Sequence, residues 1–312
     1  MIDTQESTLI ACEDFCPSVK DPFLCISCGA KYLDHIPRNE DGQVTFKIKQ
    51  NPVIRNTFPI TIGLPTTGLV RFEWAATMMQ MSYPMCMNTR TIRRPIDLNI
   101  ISPIGYHVAE ARNLIVQDFL KTDSEWLFFI DHDVLLPPNT YYCLLEHIRA
   151  KKYPIISGLY CVKTPEYQPI VLRGRGDGAY TDFKLGDQVE CDGIPMGCAL
   201  IHRSILQLAW SSAREVRTTG GEIVREVFRS PRDWIIDPET NIGGMLIGTE
   251  DLWFCERVME NNLYERLGWT TPSKEYPFLV DTRIRCNHIG SDGRCWPLAW
   301  PIPMQDPMVP KA

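Results

Sequence analysis

The chain has 312 residues, which is enough for one large α/β domain with additions or for two small domains. Its hydrophobic fraction of 44% and charged fraction of 22% are those of an ordinary globular protein. A net charge of −6 argues against broad nucleic-acid binding, and no apolar run approaches the roughly 20 residues that span a bilayer.

The cysteines indicate a reducing compartment. The sequence contains 12 of them, and Cys143, Cys161, Cys198 and Cys255 each lie alone inside an apolar segment. That placement is typical of buried free thiols and not of a disulfide scaffold. The N-terminus also lacks the basic start and apolar core of a signal peptide. We therefore expect a cytoplasmic protein without a transmembrane segment.

Residues 1–57 form a short Cys-rich arm that differs from the rest of the chain. They hold Cys12, Cys16, Cys25 and Cys28 among Pro, Asp and Lys, with little periodicity. The run from Cys25 to Cys28 looks like one knuckle of a zinc ribbon, and Cys12 and Cys16 would complete a four-cysteine site for structural Zn²⁺. The separation between the two pairs is short for such a site, and His35 is a substitute ligand. The alternative is a loosely packed arm with free thiols, which is too short to build its own core.

From Phe58 onward, strands and helices alternate along the sequence. The apolar runs predict strands that begin at Phe58 and that cover residues 96–101, 126–130 and 154–160. The 3.6-residue periodicity predicts helices over 69–81, 108–120 and 141–150. This alternation is typical of an α/β fold with a mostly parallel sheet and helices on both faces.

The second half of the chain is less repetitive. A turn runs into a strand within residues 191–202, and the stretch 212–247 is charged and glycine-rich, so we expect it to be loop. A helix then begins at Glu250, and the last strand is predicted over 279–288. We find no internal repeat in this sequence.

The most informative stretch is the buried strand 126–130 with the acids that follow it. Asp131 and Asp133 come where five consecutive apolar residues end. The carboxyl ends of such strands are where open α/β sheets bind ligands. Two carboxylates one residue apart are costly near a core unless a cation lies between them. A bare Asp-x-Asp pair is more often a solvated turn, but the apolar run in front of it and the motifs described below favour a divalent metal that holds a phosphorylated ligand.

Four further titratable residues lie in defined places. Glu250 and Asp251 follow Thr249, a candidate N-cap, so both acids lie in the first helical turn, where the helix dipole favours their ionised forms. Arg112 lies at the margin of an apolar helical stripe, where it either reaches a nucleotide or covers the helix surface. His288 ends the last strand and is either a metal ligand or a hydrogen-bonded structural residue.

Taken in chain order, these elements resemble a nucleotide-sugar-dependent glycosyltransferase of the GT-A fold, closest to the family 2 type, over residues 58–291. The motifs that carry the resemblance are Ile62-Gly-Leu-Pro65-Thr66, Glu110-Ala-Arg112-Asn113, Asp131-His-Asp133, the turn from Gly193 to Gly197, Glu250-Asp251 and His288-Ile-Gly290. The resemblance implies a GT-A (Rossmann-like) domain over 58–292. Residues 58–160 would be its nucleotide-binding half and 161–292 its acceptor half, followed by a Pro/Trp-rich tail at 293–312.

The resemblance also implies roles for particular residues. It assigns Asp131, Asp133 and His288 to a catalytic Mn²⁺ or Mg²⁺, with Asp131 binding either the metal or the ribose. It assigns the nucleotide sugar to a set of five residues: Pro65, Thr66, Arg112, Asp131 and Gly197. Asp251 would take the proton from the attacking hydroxyl in an inverting displacement, and Glu250 would position the acceptor.

The expected function is therefore that of a metal-dependent, hexosyltransferase-type enzyme. It would transfer a sugar from a nucleotide diphosphate donor to a hydroxyl acceptor of unknown class.

Three alternatives stay open at this stage. A phosphohydrolase of the haloacid dehalogenase type also has Asp-x-Asp after an apolar strand, but it wants Thr or Val where Leu135 stands and places the motif on its first strand. A nucleotidyltransferase would want a basic phosphate loop, whereas the stretch 64–68 has no Lys or Arg. A non-catalytic, zinc-bearing binding module on a GT-A-like fold would be expected to lack the acids and His288, all of which are present.

Overall fold

The structure is a computed structural model that describes residues 60–88, 99–164, 167–174, 179–236 and 243–300. The arm with Cys12, Cys16, Cys25 and Cys28 and most of the Pro/Trp-rich tail lie outside these residues. The zinc site therefore stays a prediction.

The described residues form six helices and fourteen strands. The helices are α1 (Phe72–Asn88), α2 (Val108–Phe119), α3 (Thr140–Ala150), α4 (Arg203–Ser212), α5 (Glu250–Glu260) and α6 (Leu263–Arg266). The strands of the first half are β1 (Ile60–Gly63), β2 (Asn99–Ile101), β3 (Trp126–Ile130), β4 (Val134–Leu135) and β5 (Ile155–Leu159). Those of the second half are β6 (Gln188–Cys191), β7 (Cys198–His202), β8 (Glu215–Arg217), β9 (Ile223–Arg225), β10 (Arg232–Ile236), β11 (Gly243–Ile247), β12 (Phe278–Arg285), β13 (Asn287–Ile289) and β14 (Cys295–Trp296).

Seven of these strands form one central sheet in the order β2-β1-β3-β7-β5-β12-β6. β1 pairs in parallel with β2 and β3, and β5 pairs in parallel with β12. β7 runs antiparallel to both of its neighbours, and β6 runs antiparallel to β12. Five of the seven strands therefore share one direction, which confirms the predicted mostly parallel sheet and is consistent with a GT-A, Rossmann-like fold.

Strand β3 shows how the core is divided between the two faces of this sheet. Its five side chains are at most 1% exposed and point alternately to opposite faces. Leu127 and Phe129 join a cluster with residues of α2, α4 and α5, whereas Trp126, Phe128 and Ile130 join one with residues of α1 and α3. Helices thus cover both faces, and each large buried side chain contributes roughly 1.5–3 kcal/mol.

The stretch 212–247 was expected to be loop, and this prediction is wrong. β8 pairs with β9 and β10 pairs with β11, so the described part of the stretch contains two antiparallel hairpins. Val224 is 2% exposed and anchors β9 to the core. Three-residue strands such as β8 and β9 are too short to show a period of two in the sequence.

The predicted last strand divides in two, and the second part has its own sheet. β12 stays in the central sheet, whereas β13 lies between β14 and β4 in a three-stranded sheet. His288 is opposite Val134 in this pairing, and the Ile289 N–H donates to the carbonyl oxygen of Asp133 at 2.8 Å. The small sheet therefore brings the end of the chain's last strands to the Asp-x-Asp motif.

The cysteine and membrane predictions can also be compared with the described residues. Cys143, Cys161, Cys198 and Cys255 are free and buried, as the sequence predicts. Of the helices that the structure describes, none has the length and apolar character that crossing a membrane requires.

Candidate active site

Backbone contacts fix Asp131 where β3 ends. Its N–H donates to the Gly197 carbonyl at 3.0 Å, and its own carbonyl accepts from Trp74 Nε1 at 2.8 Å. In the sequence, Asp131 is the first residue after the apolar run that forms β3. With both main-chain polar groups satisfied, the carboxylate is directed at α2.

Arg112 on α2 joins the two acidic motifs. Its Nη2 donates to both carboxylate oxygens of Asp131, at 2.9 and 3.0 Å, and its Nε donates to Glu250 Oε1 at 3.2 Å. The residue is 1% exposed, and its guanidinium lies 5.1 Å from the centre of the Phe129 ring. The sequence put Arg112 at the margin of the apolar stripe, but the structure buries it between two carboxylates.

The charges around Arg112 explain how a guanidinium can be buried. Burial alone would lower the pKa of Arg112, but Asp131 and Glu250 raise the pKa above its usual value. The Nη1 atom has no hydrogen-bond partner among the described residues and is inaccessible to solvent. One side of the guanidinium is therefore committed to the acids, and the other keeps an unused donor.

The two acids of the Asp-x-Asp motif are in different electrostatic states. Burial raises the pKa of Asp131, and the charges of Asp133 and Glu250 add to this effect, although Arg112 opposes it. Burial also acts to raise the pKa of Asp133, but the ammonium of Lys163 and the field of His288 outweigh it, so the pKa of Asp133 is lowered. Lys163 forms an ion pair with Asp133 Oδ2.

His288 presents one ring nitrogen to the protein and has the other available. Its Nδ1 is 2.8 Å from the Cys161 carbonyl, so we assign the proton to Nδ1, which leaves Nε2 as an acceptor. Burial lowers the pKa of His288, although Asp133 acts to raise it, and this favours the neutral imidazole. Metal-binding histidines commonly donate their other ring N–H to a carbonyl in this way.

Asp133 and His288 fit a divalent metal, whereas Asp131 already has a partner. The carboxylate of Asp133 and the neutral Nε2 of His288 are ligand types that Mn²⁺ accepts. Both oxygens of Asp131 accept hydrogen bonds from Arg112. Within the described part of the chain, no group of three or more His, Cys, Asp or Glu is arranged to hold a metal ion. The three-ligand site remains a prediction.

Tyr160 and Gly197 form a tight contact beside Asp131. The Gly197 N–H donates to Tyr160 Oη at 2.8 Å, and the Tyr160 ring lies edge-on to His288 at 4.7 Å between centroids. A Cβ at position 197 would lie 2.7 Å from Tyr160 Oη and 2.9 Å from Asp131 Oδ2. The structure therefore gives Gly197 a packing role, in addition to the sugar contact that the resemblance implies.

Glu250 and Asp251 open α5 as predicted, with Thr249 at the N-cap position. The Thr249 side chain makes no capping hydrogen bond to the helix. Burial raises the pKa of Asp251, and the adjacent charge of Glu250 adds to this, against hydrogen bonds from Thr249 and the Leu252 N–H. Asp251 Oδ1 accepts the Leu252 N–H at 2.8 Å, which holds the carboxylate at the start of α5.

A groove of about 240 Å³ runs beside the start of α5. Asp192 and Gly193 form one wall, and Thr249, Leu252 and Trp253 belong to the other. It adjoins the two acids of α5 and is therefore a candidate place for an acceptor. Gly193 leaves space in this groove, because a Cβ at position 193 would come within 3.0 Å of Leu252.

The loop after β1 lies where the resemblance places the nucleotide. Pro65 and Thr66 are both buried, and Thr66 Oγ1 accepts the Gly68 N–H at 3.1 Å, which shapes the turn. Arg71 ties this loop to the turn after β13, because its Nη1 donates to the Ser291 carbonyl at 3.0 Å. The structure thus joins the loop to the His288 strand, and the nucleotide contacts of Pro65 and Thr66 stay predictions.

Three residues near the site were not assigned a role from the sequence. Asn113 exchanges two hydrogen bonds with the backbone of Phe228, at 2.8 and 2.9 Å, and so attaches the second half of the chain to α2. Tyr160 is the last residue of the strand predicted over 154–160, and this position at a strand end is a usable signal. No sequence pattern pointed to Lys163, because its contact with Asp133 joins two loops that are separate in the chain.

No family model matches this chain, and no curated protein matches it. Among solved structures, it is similar to A197 from STIV, with 16% identity and a TM-score of 0.46 over 81% of this chain and 97% of that one. It is also similar to S. aureus TarS 1–349 in complex with UDP-GlcNAc, with 10% identity and a TM-score of 0.34 over 71% of this chain and 55% of TarS. A third similar structure is a glycosyltransferase involved in the glycosylation of the major capsid of PBCV-1, with 15% identity and a TM-score of 0.27 over 49% and 65% of the two chains.

Proposed function

We propose that this chain is a metal-dependent glycosyltransferase, which moves a sugar from a nucleotide diphosphate donor to a hydroxyl acceptor. The observation that carries the proposal is the bridge through Arg112, which binds Asp131 at the carboxyl end of β3 and Glu250 at the start of α5. Motifs far apart in the sequence, with separate roles in the resemblance, thereby share one site. Ligand binding at this end of a mostly parallel sheet is the general rule for such folds.

On the donor side, Asp133 and His288 would hold Mn²⁺ or Mg²⁺, with Asp131 next to them. The metal would offset the negative charge that develops on the departing nucleoside diphosphate. The protein holds two of these residues in place, since Arg112 keeps Asp131 fixed and the Cys161 carbonyl keeps the His288 ring in one tautomer. The loop at Pro65 and Thr66 would contact the base or ribose.

On the acceptor side, Asp251 would act as the general base. The bond from the anomeric carbon to the diphosphate breaks, the acceptor oxygen bonds to that carbon from the opposite face, and the hydroxyl proton passes to Asp251. The raised pKa of Asp251 suits this role, because a carboxylate becomes a better proton acceptor as its pKa approaches the working pH. Glu250, held by Arg112, would position the acceptor in the groove beside α5.

The geometry of the site does not support the phosphohydrolase alternative. Its Asp-x-Asp motif would use Asp131 as a nucleophile, yet both oxygens of that carboxylate accept hydrogen bonds from Arg112. Such bonds withdraw electron density and reduce nucleophilicity. The non-catalytic alternative depends on the arm, which lies outside the described residues.

Donor hydrolysis tests the proposal directly. UDP-, GDP- and dTDP-sugars would be incubated with Mn²⁺, with and without a chelator, using wild type and Asp133→Ala. Asp118→Ala is a matched control, because Asp118 is an exposed acid that pairs with Lys121 at the surface of α2. We expect slow, metal-dependent release of one nucleoside diphosphate that Asp133→Ala abolishes and Asp118→Ala retains. No release from any donor, together with no metal-dependent nucleotide binding, would reject the proposal.

A further inference from the structure

Lys163 already supplies a positive charge at Asp133. It lies on the loop after β5, and its ammonium pairs with Asp133 Oδ2. Both side chains are about one-third exposed, at 34% for Lys163 and 31% for Asp133, so the pair sits at the mouth of the site and not in the core. The charge of His288 also acts on this carboxylate and lowers the pKa of Asp133.

A metal at Asp133 and the ammonium of Lys163 would compete for one carboxylate. Two cations a few ångströms apart repel one another, and a divalent ion bound by Asp133 and His288 would weaken the Lys163 contact. The lysine has room to leave, because its four-carbon stem is flexible and its loop position is exposed. Arg112 has no such freedom, since it is buried between Asp131 and Glu250.

We propose that Lys163 is a donor-positioning residue that exchanges partners. It holds Asp133 while the donor site is empty, and it moves to the diphosphate of the donor when metal and nucleotide enter together. The inference rests on the proposed function, because it needs a diphosphate at this position. An ammonium freed from Asp133 can then form charge-assisted hydrogen bonds to the phosphate oxygens of the donor, which replace the bond to the carboxylate.

This exchange predicts effects of opposite sign on two ligands. Without Lys163, the Asp133 carboxylate loses the ammonium that pairs with it, so a metal ion alone should bind more tightly. The same change removes a contact to the diphosphate, so a nucleotide should bind more weakly when the metal is saturating. A lysine that merely braces the loop would weaken both or change neither.

The test compares Lys163→Met with wild type, using Mn²⁺ alone and then UDP and GDP in saturating Mn²⁺. Free Mn²⁺ measured by electron paramagnetic resonance and nucleotide titrations by calorimetry give the affinities. We expect Lys163→Met to bind Mn²⁺ about two- to fivefold more tightly, the size expected of a half-exposed ion pair. We expect its affinity for the recognised nucleotide to fall about tenfold. Lys163→Arg should restore the nucleotide affinity.

Two controls separate the possible results. Lys151→Met removes another surface lysine, which pairs with Glu125 away from the site, and should match wild type in both titrations. Asp133→Asn should lose Mn²⁺ binding. If it does so while Lys163→Met behaves as wild type, the partner exchange is rejected and the metal site stands. If wild type binds neither Mn²⁺ nor nucleotide, the proposed function fails and the role of Lys163 fails with it.

Discussion

The site contains two pairs of acids that share Arg112 but have different surroundings. At the strand end, Asp131 and Asp133 each contact a cation, Arg112 for the first and Lys163 for the second. At the helix start, only Glu250 meets Arg112, and Asp251 makes no ion pair among the described contacts. Burial and the Glu250 charge raise the pKa of Asp251, whereas the net effect at Asp133 is a lowered pKa. Asp133 at the strand end is thus suited to bind a cation, whereas Asp251 at the helix start is suited to accept a proton.

The largest expected effect comes from removing Asp251, the proton acceptor that we propose in the second pair. Asp251→Asn keeps the shape of the side chain, so we expect sugar transfer to slow by about 10²–10⁴-fold while nucleotide affinity stays within twofold of wild type. Initial-rate kinetics and calorimetric titration with nucleotide measure the two quantities. Transfer within threefold of wild type would assign the proton to another group.

Removing the shared cation should destabilise both pairs together. Arg112→Met leaves Asp131 and Glu250 as buried, unpaired charges, and we expect a loss of about 3–5 kcal/mol in the free energy of unfolding. Urea unfolding followed by circular dichroism measures it. Adding Glu250→Gln to this variant should recover part of the lost free energy of unfolding, because only one of the two unpaired carboxylates then remains. A loss under 1 kcal/mol would mean that the bridge contributes little.

A methyl group at Gly197 should disturb the strand-end pair without changing any charge. Gly197→Ala places a Cβ against Tyr160 Oη and Asp131 Oδ2, and overpacking of this kind costs about 1–3 kcal/mol. Thermal unfolding measures the cost. Tyr160→Phe in the same chain removes the closest clashing atom, so the double variant should be more stable than the sum of the two single changes predicts. Strict additivity would argue against the clash.

A change in the pH dependence of sugar transfer is the smallest of the expected effects. A base must be deprotonated to act, so a raised pKa at Asp251 moves the acidic limb of kcat/KM to a higher pH than an ordinary aspartate would give. Glu250→Gln removes the neighbouring negative charge, so the pKa of Asp251 should fall and the limb should move to lower pH. A limb that stays in place or moves upward would contradict this account.

Much of the first half of the fold could be predicted because its elements are long and periodic. The helix expected over 108–120 is α2, the strand over 126–130 is β3, and the helix over 141–150 is α3, each within one residue of its observed bounds. Local periodicity decides such elements. The hairpins of β8–β9 and β10–β11 were missed, because the surrounding charges and glycines hide the strands and because β8 and β9 have only three residues each.

The motifs of the site were found from the sequence, but their mutual contacts were not. Asp131 and Glu250 were identified separately, and nothing in the sequence placed Arg112 between them, because a helical stripe gives a face and not a partner. Lys163 was missed for the same reason. Its neighbour Asp133 lies thirty residues earlier in the chain, and their contact depends on how two loops meet above the sheet.

The pairing of β13 with β4 has a consequence for how the protein is made. Asp133 leaves the ribosome early and His288 late, and β7, which lies between β3 and β5, is also translated after both of them. Domains fold as units while the chain emerges, so the two halves of the proposed donor site come together only after most of the chain has been made. If the site binds metal and nucleotide as we propose, only finished chains would do so, and a truncated product would be unable to withdraw nucleotide sugar from the cell's supply.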